Sequence, residues 1–214
     1  MRRSIAQHMV QSVAVAPHVT TVFEADLSAI AAHREASAVK LTYTAYFIRA
    51  SVAALQAVPE VNSRWHDDAL ELFDDCNIGV ATALPNGGLI LPVIHRAQTL
   101  DLLATAERLR DLTQRARSGT LAPSDVQHGT FSISNHGVSG SLIAAPIVIP
   151  QPQSAILGVG KLERRPVARE RSGKEVVEVR PMCYVTLTID HRVLDGYQAN
   201  AFLARWVEEI EGWS

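Results

Sequence analysis

Of the eight histidines in this 214-residue chain, His191 alone sits in a compact polar cluster, Asp190-His191-Arg192-Val193-Leu194-Asp195-Gly196. Before it, Cys183, Val185, Leu187 and Ile189 alternate with Tyr184, Thr186 and Thr188, which predicts a strand. After it, Phe202, Trp206 and Ile210 align as on one face of a helix. An imidazole whose unperturbed pKa is near 6.5 is mostly neutral at pH 7 and ready to accept a proton, so a general base is the expected role for a histidine held in that turn. Asp195 follows about one helical turn on, where it could orient the ring or pin the loop, and the structural role is favoured. Asp190 and Arg192 are expected to hold the turn as an ion pair or as caps.

Metal binding is the rival for His191, but a zincin-type H-E-x-x-H needs a second histidine and a glutamate that the segment lacks. The second candidate is Ser134, in Phe131-Ser132-Ile133-Ser134-Asn135-His136-Gly137-Val138-Ser139-Gly140-Ser141. Taken alone it carries little, because small polar residues in a loop usually just turn the chain. No serine has the G-x-S-x-G setting of a nucleophile elbow, which disfavours hydrolysis. Gly158-Val159-Gly160-Lys161 lacks the upstream glycine of a P-loop and is followed by Leu162 rather than Ser or Thr.

The elements that must position these residues follow from periodicity. Ile5, Met9 and Val13 predict an amphipathic N-terminal helix ended by Pro17, followed by a strand from His18 to Leu27 and a helix from about Ser28. Leu41 to Ala57 is apolar almost all round, which predicts a buried helix under a sheet. Strand-like runs at Leu70–Phe73, Asn77–Leu84 and Leu89–Ile94 come next, the last two joined in a hairpin by Pro85-Asn86-Gly87-Gly88. Leu102, Ala106, Leu109, Leu112 and Ala116 keep helical spacing between Asp101 and Gly119. Thr130–Ser134 and Ser154–Val159 read as strands linked by a Pro-rich connection. One mixed α/β domain over residues 1–214 is the expectation.

Composition narrows the function classes. Hydrophobic residues make up 47% and charged residues 20%, and the formal net charge is −2, which excludes disorder and coiled coil as the main story and argues against nucleic acid or an anionic membrane as partners. Cys76 and Cys183 lie far apart, without C-x-x-C spacing, so neither a disulfide framework nor a structural zinc site is expected, and a reducing, cytoplasmic compartment fits. Gln7, His8 and Gln11 break what would be the core of a signal peptide. Arg49 interrupts the richest apolar stretch, so no membrane span is expected.

Six segments carry a resemblance that covers nearly the whole chain: Met1-Arg2-Arg3-Ser4-Ile5-Ala6, Pro17-His18-Val19, Val58-Pro59-Glu60-Val61-Asn62, Gly129 to Asn135, Pro152 to Gly158 and Asp190 to Gly196. In this order they resemble the catalytic domain of the dihydrolipoamide acyltransferases, the E2 components of 2-oxoacid dehydrogenase complexes. The implied fold is that of chloramphenicol acetyltransferase, a two-layer α/β sandwich with a mixed sheet flanked by helices. The implied activity is acyl transfer between a dihydrolipoyl arm and coenzyme A, with no metal. His191 would be the base, Ser134 would donate a hydrogen bond to the tetrahedral oxyanion, and Asp195 matches a position that holds the loop.

The resemblance also implies a homotrimer whose sites lie between subunits, His191 of one chain facing Ser134 of the next. A lipoyl domain and the E1 and E3 components are the implied partners. The chain stops at Glu211-Gly212-Trp213-Ser214 without an apolar tail, so the expectation is an isolated trimer, with lipoyl and subunit-binding domains absent from this chain. Ser139-Gly140-Ser141-Leu142, Pro146-Ile147 and Pro152 to Gly158 look most like the succinyl-transferring branch. His136 departs from that branch, which often has Gly there; it could bind a carboxylate or be a solvent-exposed loop residue. Acetyl or branched-chain acyl transfer, a stand-alone small-molecule acyltransferase of the chloramphenicol type and a non-catalytic scaffold are the alternatives.

Overall fold

The N-terminal helix α1 (Arg2–Val15) ends just before Pro17, whose ring cannot continue a helix. The computed structural model describes residues 2–85 and 87–214; Met1 of the N-terminal segment and Asn86 of the predicted turn lie outside them. Strand β1 (His18–Asp26) and helices α2 (Ser28–Ala36) and α3 (Tyr43–Ala57) follow where periodicity places them. Strands β2 (Ser63–Trp65) and β3 (Leu70–Leu72) pair as a small separate hairpin. The predicted hairpin is divided: β4 (Ile78–Val80) pairs β7 (Val93–Ile94), and β5 (Thr82–Ala83) pairs β6 (Leu89–Ile90).

Helix α4 (Leu102–Ser118) starts on Asp101, whose carboxylate accepts from the Ala104 amide at 2.8 Å, and stops at Gly119, left-handed at φ 71°. Both ends use the residue types that satisfy orphan backbone groups. The chain then runs through β8 (Phe131–Asn135), β9 (Ala155–Val159), β10 (Glu163–Arg171), β11 (Lys174–Asp190) and α5 (Gly196–Glu211).

Seven strands form one mixed sheet in the order β1-β11-β9-β8-β4-β7, with β10 on the first half of β11. The pairs β4·β8 and β8·β9 are parallel and the others antiparallel. Ile133, Leu157 and Leu187 lie in register and are fully buried, in one apolar core with Phe47, Phe202 and Trp206. On that face Phe131 meets the Phe202 ring at 5.5 Å, and Trp206 joins α5 to α3 through its indole N–H to Ser51 Oγ at 3.1 Å. The opposite face carries Ser132, Thr186 and Thr188 and is covered by the Pro-rich connection, where Ile147 N donates to Thr188 Oγ1 at 3.1 Å and Thr186 Oγ1 donates to Ala144 O at 3.2 Å.

Three features differ from the sequence reading. Strand β2 has no period long enough to announce it. Strand β11 begins at Lys174 rather than Met182, because β10 and β11 continue beyond the sheet as a charged ribbon. The stripe on α1 is only partly covered by its own chain: Ile5 is 37% and Val13 61% exposed while Met9 is half-buried, and Val10 beside the stripe is 71% exposed.

Candidate active site

Strand β11 delivers His191 to the point where three segments meet. Asp190 N donates to Ser154 O at 2.8 Å and His191 N donates to Pro17 O at 2.9 Å, tying the strand end to β9 and to the segment after α1. The end of α1 is itself pinned there, since buried Ser12 donates from Oγ to Ile149 O at 2.6 Å. The Asp190 carboxylate is 2% exposed and takes Arg192 Nη2 at 2.6 Å, Arg192 Nε at 3.0 Å and the Arg192 amide at 3.0 Å. The Arg192 guanidinium lies 5.7 Å from the centre of the Trp65 ring. This is the expected clamp on the turn. It leaves His191 exposed, and among the described residues no hydrogen bond reaches the imidazole.

Asp195 is the N-cap of α5. Its carboxylate accepts from the Tyr197 amide at 2.7 Å, and the Gln198 side chain reaches back to the Asp195 amide at 3.1 Å. Among the described residues no hydrogen bond joins Asp195 to His191, so in this structure its carboxylate is directed at the helix end. It positions the turn; it does not touch the ring.

Ser134 ends β8 beside a cavity of about 390 Å³ whose lining includes Thr44, Thr82, His136 and Ser139. Through Thr42, Leu109, Thr113 and Arg117 this cavity meets a groove of about 720 Å³ along α4 that also carries Lys40 and Arg110. The end of β8 is fixed by Asn135, whose side chain donates to Thr44 Oγ1 at 3.0 Å. The next residues cross the end of β9 at very short range. A Cβ on Gly137 would collide with the Gly160 carbonyl and one on Gly160 with the Leu142 carbonyl. Only glycine permits backbones to pass so closely.

One chain does not bring His191 and Ser134 together. Ser134, Gly158 and Thr186 are in register across β8, β9 and β11, and His191 lies five residues beyond Thr186. At roughly 3.4 Å per residue that is about 17 Å along the strand, plus two strand spacings across the sheet. His191 and Ser134 occupy opposite ends of the same sheet.

Two further groups matter. His136, left by the sequence as either a carboxylate ligand or an exposed loop residue, is half-buried, and its ring nitrogens are inaccessible. The cysteines are free and buried, and burial pushes the Cys76 thiol up to about 11 and the Cys183 thiol up to about 12. Both are therefore held protonated at neutral pH and are poor nucleophiles.

The family model described as 2-oxoacid dehydrogenases acyltransferase (catalytic domain) matches residues 1–214. The chain is 39% identical to the dihydrolipoyllysine-residue succinyltransferase component of the 2-oxoglutarate dehydrogenase complex of Rickettsia bellii, covering 99% of this chain and 53% of that protein. It is 36% identical to the dihydrolipoyllysine-residue acetyltransferase component of the pyruvate dehydrogenase complex of Mycobacterium tuberculosis, covering 99% of this chain and 40% of that one. The chain thus spans about half the length of the curated relatives it matches. Among solved structures, the dihydrolipoamide acetyltransferase of Azotobacter vinelandii superposes with a TM-score of 0.89 at 30% identity, over 98% of this chain and 88% of that one. Chloramphenicol acetyltransferase superposes with a TM-score of 0.62 at 15% identity, over 95% of this chain and 94% of that one, a likeness in fold alone. The chain belongs to the family of 2-oxoacid dehydrogenase acyltransferase catalytic domains.

Proposed function

We propose that residues 1–214 form one catalytic unit that moves an acyl group between dihydrolipoyl-lysine and coenzyme A. A free thiol of pKa about 8.5 is only about 3% ionised at pH 7. His191 takes the thiol proton as sulfur attacks the thioester carbon. The carbonyl becomes an oxyanion that the Ser134 hydroxyl stabilises, the original carbon–sulfur bond breaks, and the leaving thiolate recovers the proton from His191. The Azotobacter vinelandii structure was determined to test a serine, a histidine and an asparagine four positions after the histidine in that enzyme's mechanism; Ser134, His191 and Asp195 keep that order and the last spacing.

The observation that carries this reading is the separation of Ser134 from His191 on one sheet. Two residues suited to one reaction but held at opposite ends of a chain call for a second copy, and a closed homotrimer supplies each site with both. The exposed apolar side chains of α1, anchored next to His191, support the same assembly. Lys40, Arg110 and Arg117 line the groove leading from Ser134, where cationic heads suit the phosphates of coenzyme A. A lipoyl domain and E1 and E3 components are the partners this activity requires, and a reducing, cytoplasmic setting suits its thiols.

The test is thioester exchange with dihydrolipoamide and a panel of succinyl-, acetyl- and isobutyryl-CoA, beside sedimentation. The expected result is a trimer that turns over, with His191→Ala reducing the rate at least ~100-fold. A folded trimer that transfers no acyl group to or from dihydrolipoamide would sink the dihydrolipoyl acyltransferase reading and leave a scaffold or a small-molecule acyltransferase.

A further inference from the structure

His18 takes no part in the proton transfer, yet both nitrogens of its ring are engaged. Ile149 N donates to Nε2 at 3.0 Å. An amide N–H cannot accept, so Nε2 carries no proton and the ring is neutral. Nδ1 lies 2.7 Å from Ala16 O. A carbonyl cannot donate, so the one ring proton sits on Nδ1 and is given to Ala16 O. Two backbone groups, from opposite sides of the ring, thus select a single tautomer.

The ring joins the segments that meet beside His191. Ala16 closes the last turn of α1, its amide donating to Ser12 O at 3.0 Å. Ile149 lies in the Pro-rich connection, is fully buried, and is gripped on its other side by Ser12, whose Oγ donates to Ile149 O at 2.6 Å. Thr186, Thr188 and His18 hold the connection at Ala144, Ile147 and Ile149 in turn, which makes His18 the rung nearest the catalytic turn. His18 opens β1 in register with Asp190. Between Ala16 and His18 stands Pro17, whose carbonyl accepts from the His191 amide at 2.9 Å. Pro17 has no N–H with which to anchor itself. The bond from His18 Nδ1 to Ala16 O brackets it and holds its carbonyl towards His191.

Resting on the acyl-transfer reading above, we propose that His18 is a positioning residue for His191: its neutral ring, protonated on Nδ1, fixes the Pro17 carbonyl and through it the backbone from which the catalytic imidazole projects. Among the described residues no hydrogen bond reaches the His191 ring, so that ring is placed by its backbone, and its own amide rests on Pro17 O. A shift of about 1 Å in a reacting group, caused from outside the chemistry, can cost ~10²-fold in rate.

The experiment measures kcat and KM with dihydrolipoamide and the acyl-CoA that the wild type prefers, for the wild type, His18→Ala, His18→Gln and Thr20→Val, with assembly followed by sedimentation. His18→Ala should lower kcat by ~10–100-fold and change KM little, as a misplaced catalytic group does and a lost binding contact does not. His18→Gln, whose amide oxygen can take the Ile149 N–H, should recover part of the loss. Thr20→Val breaks the Thr20–Thr188 hydroxyl pair at 2.9 Å further along β1 but leaves the ring's two bonds intact, and should keep the wild-type kcat. In the unmodified protein, nitrogen NMR at neutral pH should find the His18 proton on Nδ1 and Nε2 bare, a readout that needs no variant to fold. A proton on Nε2 or a doubly protonated ring overturns the proposal. So does a folded His18→Ala trimer with the wild-type kcat, a loss that only follows loss of the trimer, or an equal loss in Thr20→Val; the acyl-transfer reading stands in each case. A wild type that transfers no acyl group to or from dihydrolipoamide overturns both.

Discussion

In the proposed mechanism, removing the Ser134 hydroxyl takes one donor from the oxyanion and nothing from the fold, since the side chain lines a cavity and is not in the core. Ser134→Ala should reduce kcat by ~10²–10³ with KM little changed, measured by thioester exchange. Asp195 has two readings that separate cleanly. As the N-cap of α5 it can be replaced by Asn, an equally good cap, so Asp195→Asn should keep the melting temperature and activity within about threefold. Asp195→Ala should cost about 1 kcal/mol of stability in denaturant titration; a large fall in kcat with Asp195→Asn alone would instead make its charge part of the chemistry. Arg192→Ala leaves the Asp190 carboxylate, 2% exposed, buried without its counter-ion, a change of the kind that destabilises by ~3–5 kcal/mol. Ser134 needed the family resemblance, but Asp190, Arg192 and Asp195 could be picked out from their types and spacing in a strand–turn–helix. The Trp65 ring beside Arg192 could not, because it arrives from a distant hairpin.

At the scale of elements, the long helices and buried strands were legible because each has one face in a single core, which imposes its period on the sequence. The β10–β11 ribbon escaped that logic. Val176 is 36% exposed on one face, and Val177 75% and Val179 52% on the other, so both faces are reached by solvent and the alternation of Val177 and Val179 with Glu178 and Arg180 marks no buried side; the charges cross-pair instead, Arg165 to Glu24 at 2.8 Å and Arg171 to Glu178 at 2.9 Å. Hydrogen bonds from Arg171 and Arg180 hold Glu178 down to about 2. The local signal was Ser172-Gly173, both at positive φ, the geometry of a tight hairpin turn. Asp26 moors the ribbon to β1 and α2. Burial raises its pKa, but Ser28 Oγ at 2.5 Å, the Ser28 amide at 2.9 Å and Arg169 at 3.2 Å outweigh this and the net shift is downward. A depressed carboxylate contributes stability above its unfolded pKa of about 3.9 and loses it as pH falls through that value towards the folded one. Asp26→Asn should therefore melt below the wild type at pH 7, and the gap should narrow in melts taken below about pH 4.

At the scale of the whole molecule, the proposed sharing of the site between subunits makes complementation the decisive prediction. His191→Ala and Ser134→Ala are each expected to be nearly inactive. Co-assembled at random in equal amounts, about a quarter of the inter-subunit sites should join an intact His191 to an intact Ser134, and about that fraction of wild-type activity should return. No recovery in mixed trimers would overturn the proposal that His191 of one subunit and Ser134 of the next form one site. The exposed apolar side chains of α1 belong to the same argument: Val10→Glu and Val13→Glu add charge where the lone chain is 71% and 61% exposed. They should leave the subunit folded but weaken the trimer in sedimentation.

Periodicity, capping residues and the polar turn around His191 determined by themselves most of the elements and nominated His191, because local sequence governs which face is buried and where a chain turns; Ser134 stood out only through the resemblance of its segment to the acyltransferase family. Distances between those elements were another matter. That His191 and Ser134 stand at opposite ends of one sheet depends on strand order and register, which residues far apart in sequence settle through long-range pairing. That His136 is buried over Gly158 depends on two glycines letting backbones cross, a contact no local pattern encodes. The tertiary structure alone decided both, because each is a relation between strands and not a property of any one of them.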